Sequence, residues 1–110
     1  MTGVAVFELS VSGQIEPGSE KFTLADGLRA TLSPRTFAII KERVDRILLV
    51  TETEMVHTVH LITEHLRTTV EPSGAVAASP ALHRQIEGED LRIGILLSGG
   101  NVDPDTLREK

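Results

Sequence analysis

Leu91-Arg-Ile-Gly-Ile-Leu-Leu-Ser-Gly-Gly-Asn-Val-Asp103 is an apolar run that ends in a turn of small polar residues. Five of its first seven residues are Leu or Ile. That is the pattern of a strand buried on both faces of a parallel sheet rather than a half-exposed one. In open α/β sheets, ligands sit at the carboxyl ends of the strands, where Gly99 and Gly100 would let backbone approach closely and leave the Ser98 hydroxyl unobstructed. The plainer reading is an ordinary strand-to-loop turn, since Gly and Asn are the usual turn residues. On the tetrapeptide alone the plainer reading is the stronger.

Its neighbours change that balance. Thr23-Leu-Ala-Asp-Gly-Leu28, Leu32-Ser-Pro-Arg-Thr-Phe37, Val44-Asp-Arg-Ile-Leu-Leu-Val50, Val70-Glu-Pro-Ser-Gly-Ala75 and Leu97-Ser-Gly-Gly-Asn-Val-Asp103 follow one another in a fixed order. Together they resemble the C-terminal third of the pyridoxal-phosphate enzymes of the threonine dehydratase and serine racemase family, of the tryptophan synthase β-like fold type II. The resemblance spans residues 13–107. It implies an α/β fold, here a small, mainly parallel sheet of about three strands packed with three or four helices, in a single domain over residues 1–110.

The resemblance also implies a set of cofactor-binding positions. The family's SGGN serine faces the pyridine nitrogen of pyridoxal phosphate, which places Ser98 in that role. A neutral hydroxyl holds that nitrogen protonated less well than a carboxylate does, which weakens the electron sink and suits β-elimination more than transamination. Gly99, Gly100 and Asn101 would shape the pocket wall. Glu71 of the EPSGA segment would lie near the cofactor. Glu71 has a second reading as a helix-start carboxylate ahead of Pro72, favourable to the helix dipole, and the two readings are compatible.

The family's Schiff-base lysine, its substrate-gripping Ser-x-Gly-Asn loop and its glycine-rich phosphate loop have no counterpart in these residues. Lys21, Lys41 and Lys110 are the lysines, and none stands in the family's lysine motif. A lysine amine is what forms the Schiff base, and no GxGxxG or Walker-type loop replaces the phosphate site. The expectation is a fragment of a catalytic fold with no catalytic residue of its own, inactive alone in the family reaction.

Composition bounds the rest. A chain of 110 residues buries roughly two-thirds of its unfolded surface, enough for one modest core. A net charge of −5, with three Phe as the only aromatics, argues against nucleic acid, which needs a basic face or stacking platforms. The absence of cysteine removes disulfides and thiolate chemistry. Apolar runs are too short to span a bilayer and no signal-peptide pattern opens the chain, so a cytoplasmic location without membrane contact is expected.

Periodicity places the elements. Val4-Ala-Val-Phe7 reads as a strand, extended by the alternation of Ala5, Phe7, Leu9 and Val11, where family members carry a helix instead. Ser33 and Pro34 start a helix over about 34–44 with Phe37, Ile40 and Val44 as its apolar stripe. Ile47-Leu-Leu-Val50 reads as a buried strand. Thr51 and Glu54 then form a capping box, with Val50 and Met55 as its staple. The helix they start runs over about 52–68 and buries Met55, Val59, Ile62 and Leu66. A third helical segment follows Pro72, and Ser79-Pro80 interrupts it, with a restart over about 80–87.

His57, His60 and Glu64 stand at i, i+3 and i+7. They read as wet helix surface rather than a metal site, since no HExxH pattern supports zinc. His65 and His83 have no partner in sequence. Glu87-Gly-Glu-Asp90 reads as a solvated turn before the last strand, not a cation site.

Strands apolar on both faces need cover that a lone chain must find elsewhere, and identical edges close a symmetric interface at least cost. The expected partner is therefore a second copy, in a homodimer or higher oligomer, with a small ligand near the turn at Ser98 and Asn101. The alternative is part of an amino-acid dehydratase or racemase that needs a second chain to supply lysine and phosphate loop. A third reading is a folded relic with neither ligand nor partner.

Overall fold

The computed structural model describes residues 23–100. The expected first strand, Lys21, Lys110 and Asn101 lie outside them. Within them the chain forms a short 3-10 turn, Asp26–Arg29, then two full helices, α1 (Pro34–Arg43) and α2 (Glu52–Leu66). A broken helical segment follows, composed of α3 (Pro72–Ala75), a 3-10 turn (Val76–Ala78) and α4 (Ser79–Leu82).

Each helix starts where side-chain chemistry permits. Ser33 caps α1 by accepting the Thr36 N–H at 3.2 Å, and Pro34 fills the first turn, where its missing N–H costs nothing. At α2 the capping box is complete. Thr51 Oγ1 accepts the Glu54 N–H at 3.2 Å, while the Glu54 carboxylate accepts the Thr51 N–H and hydroxyl, each at 2.9 Å. Helix α2 stops at Leu66 rather than at 68, because Arg67 adopts a left-handed conformation with φ of 50°.

Pro80 explains the break after α3. A proline ring inside a helix removes a hydrogen bond and crowds the preceding turn. The backbone therefore tightens into the 3-10 turn Val76–Ala78 and restarts at Ser79, with Pro80 in the first turn of α4. The restart ends at Leu82, earlier than the expected 87.

The core sits between α2 and this broken segment. Val59, Ile62, Val70, Ala75 and Ala78 form one buried cluster, and Ala25, Val50 and Met55 form another, against which Leu24, Leu28 and Val76 pack. Small residues in α3 and α4 let their backbones lie close to α2. The buried face of α2 differs from the expected stripe at two positions. Thr58 is buried, its hydroxyl satisfied by donating to the Glu54 carbonyl one turn back at 2.7 Å. Leu66 is 61% exposed, since the broken segment covers the middle of α2 and not its last turn. Helix α1 buries no residue, and Val44, expected in its stripe, is exposed together with Ile39.

The expected sheet is where the structure departs most from the sequence pattern. Among the described residues no ladder forms: Val50 makes an isolated bridge, and 91–97 carries no strand pairing. Leu91, Ile93, Ile95, Leu96 and Leu97 are exposed rather than buried on both faces. The cause is physical. A strand exists by pairing, and among the described residues none pairs with 91–97 to satisfy its N–H and C=O groups.

Candidate cofactor-facing site

Three of the sequence motifs converge on one place. Val70 is buried in the core, and Glu71 follows it as the residue that opens α3, its carbonyl accepting the Gly74 and Ala75 N–H groups at 3.0 and 2.9 Å. The Glu71 N–H in turn donates to the Gly99 carbonyl at 3.4 Å, which ties the start of α3 to the SGGN turn.

Glycine makes this contact possible. Gly99 has a φ of +74°, the left-handed region that favours glycine, and a Cβ there would collide with the Glu71 carboxylate. Gly74 is buried, and a Cβ on it would fall on the Ser98 carbonyl. A Cβ at Gly100 would lie 3.2 Å from the Thr69 carbonyl. The turn and the helix start are thus pressed together at backbone distance.

The Asp26–Arg29 turn joins from the other side. Gly27 N–H donates to Ser73 Oγ at 3.1 Å, and the Ser73 hydroxyl donates to Asp26 Oδ1 at 3.4 Å. Leu24 N–H donates to the Glu52 carboxylate at 3.1 Å, which anchors the same segment to the first turn of α2. The ADG, EPSGA and SGGN motifs therefore form one hydrogen-bonded unit.

Of the expected site residues, Ser98, Gly99, Gly100 and Glu71 come together here, and Asn101 lies outside the described residues. Glu71 opens α3 by its backbone, but its side chain makes no capping bond; its carboxylate lies against Gly99 instead. Asp26, Gly27 and Ser73 were not among the expected site residues, although the ADG and EPSGA motifs that contain them were the available signal. Ser98 is exposed, on a turn whose backbone is braced from behind by Gly74 and Glu71. Lys41, the one lysine among the described residues, is an exposed residue of α1.

The histidines sort differently from their sequence spacing. His83, with no partner in sequence, reaches back to α2: its Nε2 lies 3.2 Å from the Glu54 carbonyl and 3.4 Å from Thr58 Oγ1. Its ring meets that of His57 with centroids 5.3 Å apart, tilted by 59°. His57 and His60 border a groove of about 350 Å³ that Leu24, Glu52, Thr53 and Val56 also line. Among the described residues no three His, Asp or Glu side chains gather as a metal site, and no helix is long and apolar enough to cross a membrane.

The family described as pyridoxal-phosphate dependent enzyme matches residues 2–99. The serine racemase of Dictyostelium discoideum is 40% identical over 102 residues, which cover 88% of this chain and 31% of that protein. The structure of maize serine racemase superposes with a TM-score of 0.84 at 34% identity, over 98% of this chain and 36% of that one. A threonine deaminase from T.th. superposes with a TM-score of 0.80 at 33% identity, over 93% of this chain and 38% of that one. This likeness supports an α/β fragment of fold type II, and the chain spans about 31% of the length of the curated relative it matches. The chain belongs to the pyridoxal-phosphate dependent enzyme family, as a fragment similar to serine racemase and threonine deaminase.

Proposed function

We propose that the chain is a non-catalytic fragment of the threonine and serine dehydratase-like fold, which self-associates and holds a small ligand at the turn of Ser98, Gly99, Gly100 and Asn101. The observation that carries this reading is the bond from Glu71 N–H to the Gly99 carbonyl, with Gly74 packed on Ser98. One wall of a binding site is built to backbone tolerance, and wall-building is what these residues do. Pyridoxal phosphate, when bound in the family, supplies the electron sink for reactions at the amino-acid α-carbon. On this chain the Ser98 hydroxyl would donate to or accept from a ring nitrogen placed against the turn, and Glu71 would fix the turn's position.

Catalysis needs a lysine amine as well, and Lys41 sits exposed on α1. The first measurement is the visible absorption of the purified chain with added pyridoxal phosphate, before and after borohydride reduction and mass analysis. The expected result is no covalent adduct on any lysine. A reducible adduct on one particular lysine overturns the non-catalytic reading.

The alternative, a lyase or racemase completed by a second chain, draws support from how closely this backbone follows the full-length enzymes, with TM-scores of 0.80 and 0.84. Dehydratase activity on serine or threonine, appearing only when a chain with the family's lysine and phosphate loop is added, would establish that alternative.

A further inference from the structure

Helix α3 is a single turn, Pro72–Ala75, set between two loops. Successive residues of a helix point about 100° apart, so Ser73 and Gly74 serve different neighbours. Gly74 lies against the Ser98 carbonyl, where a Cβ would not fit. Ser73 meets the Asp26–Arg29 turn and holds it twice: its Oγ accepts the Gly27 N–H at 3.1 Å and donates to Asp26 Oδ1 at 3.4 Å. The fit is close. A Cβ on Gly27 would lie 3.0 Å from Ser73 Oγ and 3.2 Å from Ser73 Cβ.

We infer that Ser73 is a positioning residue for the SGGN turn: keyed by its hydroxyl to Asp26 and Gly27, it sets where α3 presents Gly74 and the Glu71 N–H, and so where the Ser98 hydroxyl stands. The inference deepens the ligand-wall reading above and rests on it for the use of that placement. A one-turn helix has little rigidity of its own. Buried Val70 and Ala75 fix the depth of α3 in the core, but apolar burial is non-directional and resists rotation about the helix axis weakly. Hydrogen bonds are directional, so the Ser73 pair supplies the angular constraint. The turn it grips is itself anchored. Ala25 is fully buried with Val50 and Met55, and Leu24 N–H donates to the Glu52 carboxylate. Placement therefore passes from α2 through the Asp26–Arg29 turn to Ser73, and from the adjoining Glu71 and Gly74 to Gly99 and Ser98.

The contact adds little stability. Asp26 and Gly27 are exposed and Ser73 is half-buried, so water takes over both bonds when the hydroxyl is lost. A positioning role and a merely structural one then predict different results.

Amide hydrogen exchange followed by NMR separates them. Ser73→Ala should leave the thermal midpoint and the exchange of the core Val59 amide unchanged. It should speed exchange at Glu71, whose N–H is bonded to the Gly99 carbonyl, by about fivefold, the worth of one hydrogen bond. Ser73→Thr keeps the hydroxyl and should restore the original rate. Gly27→Ala, which crowds Ser73 from the opposite loop, and Asp26→Ala should each speed Glu71 exchange as well, and they carry the test if Ser73→Ala does not fold. Unchanged Glu71 exchange overturns the inference, as does equal acceleration at Val59 or a failure of Thr to rescue. Pyridoxal phosphate added to the unmodified chain should shift the Gly99 and Gly100 amide signals, and the shift should weaken in Ser73→Ala. No shift in the unmodified chain overturns the ligand reading, while the exchange rates still decide the positioning role of Ser73.

Discussion

Gly99 is the residue on which the candidate site turns. Its left-handed backbone and its approach to the Glu71 carboxylate are both closed to a side chain, so Gly99→Ala should cost about 1–2 kcal/mol from backbone conformation alone, more if Glu71 is displaced. Urea unfolding of the variant measures that loss, and an unchanged midpoint would show that the turn does not hold the observed conformation in solution. Ser79 is the opposite case. Its hydroxyl is fully buried and has no hydrogen-bond partner among the described residues, a state that costs about 1–3 kcal/mol in desolvation. Ser79→Ala should therefore stabilise the chain, by about 1 kcal/mol after the small loss of packing, and a lower melting temperature would contradict it. Both positions were readable only in part. The SGGN pattern marked Gly99, whereas Ser79 looked from sequence like the residue before a helix-breaking proline, and nothing in that pattern shows that its hydroxyl is enclosed.

At the scale of elements, α2 organises the described residues, and its capping box carries a pH signature. The Thr51 N–H and hydroxyl hold the Glu54 carboxyl below its ordinary 4.5 against the opposing effect of burial, with the His83 charge and Gln85 in lesser support. A carboxyl lowered by folding stabilises the native state above its unfolded pKa and loses that contribution as pH falls through the folded value. Stability should thus be flat with respect to Glu54 above about pH 4.5 and decline below it. Glu54→Gln should lack this component of the decline, as pH-dependent thermal melts would register. Thr51→Ala removes the other half of the box and should cost about 1 kcal/mol. The capping box was legible because it depends on two residues three apart in sequence. The early stop at Leu66 was not, because Arg67 enters the left-handed region without the glycine that usually announces it.

For the whole molecule, the small core makes each buried side chain count. Met55 of α2 is fully buried against Ala25 and Val50, and Met55→Ala should destabilise by about 2–5 kcal/mol, a large share of what a domain of this size possesses. Denaturant unfolding would show it, and a cost under about 1 kcal/mol would mean that the core is loosely packed. Family, helix starts, the Pro80 break and the SGGN turn were all determined by the sequence itself, because each rests on a few residues whose chemistry acts locally. Tertiary structure alone decided which motifs meet, how Ser73 and His83 tie separate segments together, and that 91–97 lies exposed with no ladder among the described residues. Apolar alternation records that a strand needs cover, but the cover is made of residues distant in the chain or on another chain, and only the folded arrangement shows whether they are there.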